Sequence, residues 1–265
     1  MPGVTVRDCR LEYRLAGDRS DVVWGHGLTS SMAEEDELAL VDWAIAGVGH
    51  RVVRYDARGH GDSDSTTELT DYSWEALAHD QLALADAVGV DRYVAAGASM
   101  GAATALHAAL LAPERVRALV LVIPPTGWAT RAAQTGMYAV MADLVEHERH
   151  AELLAGSAEV PPPDPVADEP LWTERFERKL TTTDPVRLAR VFRGAGTADL
   201  PPPDAIATID VPVLILGWTG DATHPLTTSA RLQELMPHAE LAVATTRAGL
   251  DAWSPRVARF LAAVT

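Results

Sequence analysis

The sequence RYVAAGASMGAATALHAALL, residues 92–111, decides the fold that we predict for this chain. Residues 93–96 form a short apolar run that indicates a buried strand, and residues 102–111 are rich in alanine and leucine, as in a buried helix. Between them lies GASMG, residues 97–101, whose two glycines lack a Cβ atom and so allow neighbouring backbones to approach closely. The stretch therefore predicts a strand that turns sharply into a helix, with Ser99 at the apex.

A serine between two glycines at a strand-to-helix turn is typical of a nucleophile elbow. Ser99 would stand at the N-terminus of the helix, where free backbone N–H groups and the helix dipole favour a developing negative charge. The motif alone also occurs in ordinary Gly-Ser turns, so it is the flanking strand and helix that favour the elbow. Ser99 is therefore the first candidate for a catalytic residue.

Composition limits the classes of protein to which the chain can belong. Its 265 residues are 48% hydrophobic and 22% charged, which is typical of a globular protein with one large α/β domain. The net charge of −15 argues against nucleic acid as a partner. The single cysteine, Cys9, excludes an internal disulfide and suits a reducing cytosol. No apolar run could cross a bilayer, and the N-terminus lacks a signal-peptide core. We expect a cytoplasmic protein with no membrane partner, and a homodimer is compatible with the sequence.

Strand-like and helical runs alternate along most of the chain, which predicts an α/β protein with a doubly wound, mostly parallel sheet. The aliphatic run at residues 116–123 fits a central parallel strand that is buried on both faces. Ser73 is the expected N-cap of a helix over residues 73–88, and residues 33–46 are expected to form a helical stretch that stops at Gly47. Further strands are predicted at residues 4–6, 11–15, 21–24, 51–55, 211–216 and 241–244, and further helices at residues 225–236 and 255–264.

The segment from residue 125 to residue 209 departs from this alternation. Its helical period persists, but no strand-like run occurs, and proline triplets interrupt it at residues 161–163 and 201–203. We predict a helical insertion at residues 125–209 that lies over the sheet, with a core built from residues 1–124 and 210–265. Several large side chains are expected to fill the interior of the insertion, where some could line an apolar pocket: Trp128, Met137, Tyr138, Met141 and Trp172.

Four motifs together resemble those of the α/β-hydrolase fold family, and the resemblance covers nearly the whole chain. They are GHGL at residues 25–28, DARGHGDS at 56–63, GASMG at 97–101 and GWTGD at 217–221. Their order and spacing match the family, and together they are more specific than any one of them. The resemblance implies that the helical insertion is a cap domain. It also implies an enzyme that needs no cofactor and hydrolyses a small-molecule ester, lactone or related acyl substrate.

The same resemblance implies a role for individual residues. Ser99 corresponds to the nucleophile, which attacks an acyl carbon and forms a covalent intermediate. The backbone N–H groups of Leu28 and Met100 correspond to the oxyanion hole. Asp221 corresponds to the acid that orients the catalytic base and stabilises its cation. A loop aspartate that caps the following helix is the alternative interpretation of Asp221.

The catalytic base is where the sequence departs from the family. The family usually places its histidine after the last strand, several residues before a proline that opens the final helix. The corresponding stretch, residues 245–255, contains Pro255 but no histidine, and Ala248 or a neighbour stands where the base is expected. A serine without a base is a weak nucleophile. An engineered replacement of histidine at Ala248 would also account for the gap.

Among the nine histidines, His224 is the best candidate for a substitute base. It follows Asp221 by three residues, on a loop at the carboxyl edge of the predicted sheet. Its alternative role is to begin the helix that Pro225 introduces, because proline suits the first helical position. His26 and His60 belong to the turn motifs and are expected to bond nearby backbone. We therefore take Ser99, Asp221 and His224 as the candidate catalytic residues.

Other chemistries have weaker support. Asp221 and His224 would supply two metal ligands, whereas catalytic zinc sites generally use three. No lysine follows the glycine-rich turn as in a phosphate-binding loop. Three hypotheses remain open: a serine hydrolase, a lyase, isomerase or cyclase on the same scaffold, and an inactive ligand-binding member of the family. Reaction of Ser99 with a fluorophosphonate probe would favour the first.

Overall fold

The strands form one sheet with the topology predicted from the sequence. The computed structural model describes residues 2–265, apart from the side chain of residue 173. The strands found there are β1 (Gly3–Val6), β2 (Cys9–Ala16), β3 (Ser20–Gly25), β4 (His50–Tyr55), β5 (Tyr93–Ala98), β6 (Val116–Val122), β7 (Val213–Trp218) and β8 (Glu240–Ala244). Their spatial order is β1-β2-β4-β3-β5-β6-β7-β8. The pairings of β1 with β2 and of β2 with β4 are antiparallel, and the remaining pairs are parallel. The predicted α/β class with a doubly wound, mostly parallel sheet is confirmed.

Helices alternate with these strands and cover both faces of the sheet. They are α1 (Met32–Glu37), α2 (Trp43–Ala46), α3 (Trp74–Ala87), α4 (Met100–Leu111), α5 (Arg131–Glu146), α6 (His150–Ala158), α7 (Pro170–Thr182), α8 (Pro185–Gly196), α9 (Pro203–Ile206), α10 (Leu226–Leu235), α11 (Arg247–Asp251) and α12 (Trp253–Val264). Short 3₁₀ turns occur at Leu69–Tyr72, Trp128–Thr130 and Asp164–Val166. Ser73 caps α3 as predicted, since its Oγ accepts the Ala76 N–H at 3.2 Å. None of the helices within residues 2–265 has the length and apolar character that crossing a membrane requires.

The helical stretch predicted at residues 33–46 is wrong in one respect, because it is two helices, α1 and α2. The Leu38 N–H still donates to the Glu34 carbonyl at 3.1 Å, and the backbone then leaves the helix. Asp42 starts the second helix, since its side chain accepts the Ala44 N–H at 2.8 Å. A short aspartate side chain that bonds nearby backbone favours a cap over a helix interior. The break matters for the site, because Leu38 and Leu40 line the cavity beside Ser99.

The central strands are buried on both faces, which explains their aliphatic sequences. On β6, Leu119 and Leu121 face the core beneath α3, α4 and α10, whereas Val120 and Val122 face the core beneath α2 and α12. Side chains alternate in this way because successive residues of a strand point to opposite faces. The prediction of a buried central strand at residues 116–123 is confirmed.

Between β6 and β7, the described residues form helices and loops but no strand. Helices α5 to α8 share a small core of their own, in which the Tyr138 and Phe192 rings stack with centroids 6.1 Å apart. Several contacts hold this insertion over the sheet; among them, the Trp172 ring meets the Trp218 ring edge-on at 5.3 Å, and Lys179 pairs with Glu34 at 2.6 Å. The boundaries of a separate cap domain at residues 125 and 209 stay a prediction.

Close backbone packing at the turn between β5 and α4 explains its glycines. A Cβ atom on Gly101 would lie 2.0 Å from the Gly25 carbonyl oxygen of the neighbouring strand, and one on Gly97 would lie 2.3 Å from the Gly101 carbonyl carbon. Real Cβ atoms do not approach other atoms so closely. The sharp strand-to-helix turn predicted for residues 97–101 is therefore confirmed, and it places Ser99 at the carboxyl edge of the sheet.

Candidate active site

Ser99 occupies a strained position at the start of α4. Its φ is 51° and its ψ is −108°, outside the conformations that a residue with a side chain usually adopts. Such strain persists only where the surroundings enforce it, and it is common at functional sites. Here the enforcing contacts are the packed glycines before and after the serine. The side chain of Ser99 is consequently fixed against a cavity rather than free to turn into solvent.

His224 lies between Ser99 and Asp221. Its Nε2 atom is 2.8 Å from the Ser99 Oγ, and its Nδ1 atom is 2.7 Å from the Asp221 Oδ2. Because a carboxylate only accepts hydrogen bonds, we assign the proton of a neutral imidazole to Nδ1. Nε2 is then left to accept the hydrogen bond of the Ser99 hydroxyl. The three residues named from the sequence thus form one hydrogen-bonded line.

The carboxylate of Asp221 is held by several donors at once. Besides His224, its Oδ2 accepts the indole N–H of Trp218 at 2.9 Å, and its Oδ1 accepts the backbone N–H groups of Thr223 at 2.8 Å and His224 at 3.1 Å. Burial alone would raise the pKa of Asp221, but the facing imidazole and these N–H groups lower that pKa to about 2. Asp221 therefore stays ionised, and it both shapes the loop and orients the imidazole.

We expect Asp221→Asn to weaken the protein in a pH-dependent way. The pKa of Asp221 is lowered from 3.8 to about 2, so its ionised form adds stability above pH 3.8 that is lost as the pH falls through about 2. Between about pH 5 and about pH 3, the difference in unfolding free energy between wild type and variant should shrink by about 1 kcal/mol. Urea unfolding at both pH values measures it. Asp91→Asn, at a side chain that is 95% exposed, is the control. A difference that stays constant with pH would contradict the expectation.

No residue from 245 to 255, the region where the family usually carries its histidine, lines the cavity at Ser99 or the adjoining one. Ala248 is exposed on α11, a helix that begins where Thr246 Oγ1 accepts the Gly249 N–H at 3.2 Å. Ala248 does not line the cavity at Ser99. A histidine removed from this position is therefore not needed to explain the geometry of the site.

Two other histidines bond backbone, as the turn motifs predict. The imidazole of His26 donates from Nδ1 to the Gly27 carbonyl at 2.8 Å and accepts the Ala57 N–H at Nε2, at 3.0 Å. The Nδ1 atom of His60 lies 2.9 Å from the Arg58 carbonyl. Both rings stabilise loops beside the site, and neither contacts the Ser99 hydroxyl within the described part of the chain.

The backbone N–H groups of Leu28 and Met100 belong to the two segments that pack closely at the turn around Ser99. Met100 follows Ser99 directly and is the first residue of α4, so its N–H has no acceptor within the helix. Within residues 2–265, neither amide donates a hydrogen bond to a protein atom. The Gly101 N–H, in contrast, donates to the His26 carbonyl at 3.1 Å and ties the loop at residues 25–28 to α4. Two amides near the serine are therefore left available.

Ser99 and His224 line a cavity of about 230 Å³ beneath the helical insertion. An adjoining cavity of about 320 Å³ also reaches His224 and extends to Asp221 and Lys179. Four of the five large side chains predicted for the interior of the insertion line the first cavity, namely Met137, Tyr138, Met141 and Trp172. The fifth, Trp128, packs against the sheet core instead, and its indole donates to the Pro201 carbonyl at 2.9 Å.

Sequence reasoning missed three residues of this site. Trp218 belongs to the GWTGD motif, but nothing in the motif shows that the indole bonds Asp221. Gln134 and Arg175 line the cavity and come from helices of the insertion, where no motif marks them. No group of three or more potential metal-binding side chains is found among the described residues.

The family of the protein follows from a match over most of the chain. The family model for the alpha/beta hydrolase fold matches residues 22–247, and the chain belongs to this family. An enol-lactonase from Burkholderia xenovorans LB400 has the same fold, with a TM-score of 0.79 at 23% identity over 98% of this chain and 100% of that one.

Curated relatives match shorter stretches. The sn-1-specific diacylglycerol lipase ABHD11 of Mus musculus is 35% identical over 145 residues, which cover 53% of this chain and 45% of the lipase. The bifunctional epoxide hydrolase 2 of the same species is 34% identical over 82 residues, which cover 31% of this chain and 15% of that protein. The chain thus spans less than half the length of these relatives. The names of both relatives describe enzymes of the hydrolase class.

Proposed function

We propose that the protein is a serine hydrolase that cleaves a small ester, lactone or related acyl substrate. The observation that carries the proposal is the line from the Ser99 Oγ through His224 to Asp221, with distances of 2.8 Å and 2.7 Å. In this proposal Ser99 is the nucleophile, His224 the general base and Asp221 the acid that orients it. An unusual feature is that base and acid lie three residues apart on one loop.

Acylation would follow from this geometry. As the Ser99 oxygen attacks the acyl carbon, its proton passes to Nε2 of His224, and the imidazolium that forms is stabilised by the ionised Asp221. The negative charge on the acyl oxygen would be bound by the N–H groups of Leu28 and Met100. Collapse of the tetrahedral intermediate breaks the bond to the leaving alcohol, which takes the proton from Nε2.

Deacylation would use the same groups in the same order. Nε2 of His224 takes a proton from water, and the hydroxide that forms attacks the acyl-enzyme. The Ser99 oxygen then leaves and recovers its proton from the imidazole, which restores the resting site. For a lactone, the leaving alcohol stays attached to the acyl chain, and the product is a hydroxy acid.

The environment of the serine supports a small, partly apolar substrate. The cavity of about 230 Å³ is lined by aromatic and methionine side chains from the insertion, together with a smaller number of polar side chains that include Ser99 and His224. Pockets that bind small molecules commonly combine apolar walls with a few placed polar groups. The acyl chain would lie against the apolar wall, with the scissile carbonyl at Ser99.

Ser99→Ala is expected to abolish ester hydrolysis. Alanine removes the nucleophile, so kcat/KM for p-nitrophenyl butyrate should fall by about 10⁴-fold or more, measured by release of p-nitrophenolate. Ser65→Ala, at an exposed serine that lines neither the cavity at Ser99 nor the adjoining one, is the control and should behave as wild type. Turnover by Ser99→Ala at the wild-type rate would rule out the acyl-enzyme mechanism. Absence of turnover in the wild type would favour a lyase, isomerase or cyclase, or a ligand-binding protein.

A further inference from the structure

The helical insertion places a guanidinium group at the cavity that Ser99 lines. Arg175 lies on α7 and lines both the cavity at Ser99 and the adjoining cavity at His224 and Asp221. It is the one arginine among the described residues that line the Ser99 cavity. Its position between the two cavities puts a positive charge within the space that a bound substrate would occupy.

The hydrogen-bonding capacity of Arg175 is almost unused. A guanidinium group has five N–H donors, yet among the described residues it makes one long hydrogen bond, from Nη1 to the Leu38 carbonyl at 3.4 Å. The carbon of its guanidinium also lies 5.6 Å from the centre of the Trp172 ring, a contact that contributes modestly. Most of the donors therefore lack an acceptor within residues 2–265.

Other charged groups along the two cavities are matched by an opposite partner. Within the described part of the chain, Arg175 has no carboxylate within 4.0 Å, in contrast to the charged side chains around it. The matched pairs are Glu34 with Lys179, Glu35 with Arg54, and Asp221 with His224. Arg175 is thus a positive charge on the cavity wall that no protein carboxylate contacts.

The lack of a paired carboxylate at Arg175 has a free-energy cost that a bound anionic ligand could offset. Burial lowers the pKa of Arg175, while Glu34 and Glu35 act at longer range in the opposite direction. A desolvated cation without an anion is unfavourable. A carboxylate matches the planar fork of a guanidinium with two parallel hydrogen bonds, which makes arginine well suited to recognise it.

The apolar residues on the wall of the Ser99 cavity indicate which kind of chain links such a carboxylate to the ester group. Met141, Phe176 and Phe192 line the cavity together with Ser99 and offer only apolar surface. An aliphatic chain would pack against them, with polar groups at its two ends. Gln134 lies on the same wall, and its buried Nε2 has no acceptor among the described residues.

We propose that the substrate is an ester or lactone of an aliphatic acid that carries a second, free carboxylate, and that Arg175 binds this carboxylate. The inference rests on the proposed hydrolase function and adds the class of acyl group to it. Arg175 would fix the far end of the acyl chain while the scissile carbonyl lies at Ser99. Binding energy at a distant anionic group would then orient the reacting carbon.

The test compares two substrates that differ only in the terminal charge: the mono-p-nitrophenyl ester of glutaric acid and p-nitrophenyl pentanoate. Wild type should prefer the glutarate ester in kcat/KM. Arg175→Gln should lower kcat/KM for the glutarate ester by about tenfold or more, chiefly through KM, and leave the pentanoate within about twofold. Arg175→Met, which keeps the apolar stem, is the second variant in case the first does not fold.

Arg178→Gln is the matched control, because Arg178 lies one turn further along α7, pairs with Glu37 and does not line either cavity. It should keep the wild-type preference. Equal changes toward both esters in Arg175→Gln, or a wild type that prefers the pentanoate, would overturn the inference.

Binding of glutarate itself, measured by calorimetry, separates this inference from the proposed function. If neither ester is hydrolysed by the wild type, the hydrolase proposal fails, but glutarate binding still reports on Arg175. Binding by wild type and Arg178→Gln that is lost in Arg175→Gln would support the carboxylate site. Glutarate binding that is the same in all three proteins, or absent from all of them, would refute it.

Discussion

His224→Ala is expected to lower kcat/KM for p-nitrophenyl butyrate by about 10⁴-fold while leaving the fold intact. The reason is that the Nε2 atom 2.8 Å from the Ser99 Oγ is the group placed to take the hydroxyl proton. The side chain of His224 is 13% exposed, contacts the Trp218 ring and pairs with Asp221 at 2.7 Å, so its truncation should lower stability measurably without abolishing the fold. Initial rates of p-nitrophenolate release, with circular dichroism as a check on folding, measure the effect.

Two further variants make this prediction specific. His147→Ala removes an imidazole that is 64% exposed on the insertion and should have wild-type activity. Ala248→His in the His224→Ala background tests whether the base belongs after the last strand. Because Ala248 is exposed on α11 and does not line the cavity, we expect no recovery of activity. Recovery would show that the usual family position holds the base after all.

Gly101→Ala is expected to destabilise the protein by more than about 3 kcal/mol or to prevent folding. The added Cβ would lie 2.0 Å from the Gly25 carbonyl oxygen. Neither residue can move easily, because β3 holds the backbone of Gly25 in place and α4 holds that of Gly101. Relief would require α4 to move away from β3, which would also displace Ser99. Chemical unfolding, or the yield of folded protein, measures the loss.

Gly136→Ala is the matched control for this substitution. Gly136 also lies in a helix, α5, but a Cβ atom there would meet nothing within 4 Å. Alanine should therefore stabilise the protein by about 0.5–1 kcal/mol, because it has the higher helix propensity. A Gly101→Ala variant as stable as the Gly136→Ala variant would contradict the account of the turn.

Much of the fold could be predicted because its signals are local. The aliphatic run at residues 116–123 has one stable solution, a strand buried between two helical layers, and the glycines around Ser99 mark a close approach of backbones. The break between α1 and α2 could not be predicted as easily. Asp42 starts a new helix through a single side-chain bond, and the helical composition on both sides of it conceals the interruption.

The site also contains some residues that could be predicted from the sequence and others that could not. The placement of His224 beside Ser99 could be predicted because a residue three positions after Asp221 stays on the same loop, at the same edge of the sheet. Arg175 could not be found, because its position depends on how α7 packs over the sheet. Trp218 could not be assigned either, since strand residues with large side chains usually serve the core and only its indole N–H reaches Asp221.

The most direct test of the account is the rate at which a fluorophosphonate probe labels Ser99 in wild type and in His224→Ala, followed by intact-protein mass spectrometry. The reaction needs the serine oxygen and its base but no particular acyl substrate, so it does not depend on the substrate class. We expect one phosphonyl group per wild-type chain, located on Ser99 by peptide mapping, and labelling of the variant that is slower by about 100-fold or more. Equal labelling rates in the two proteins would contradict the role of His224 as the base of Ser99.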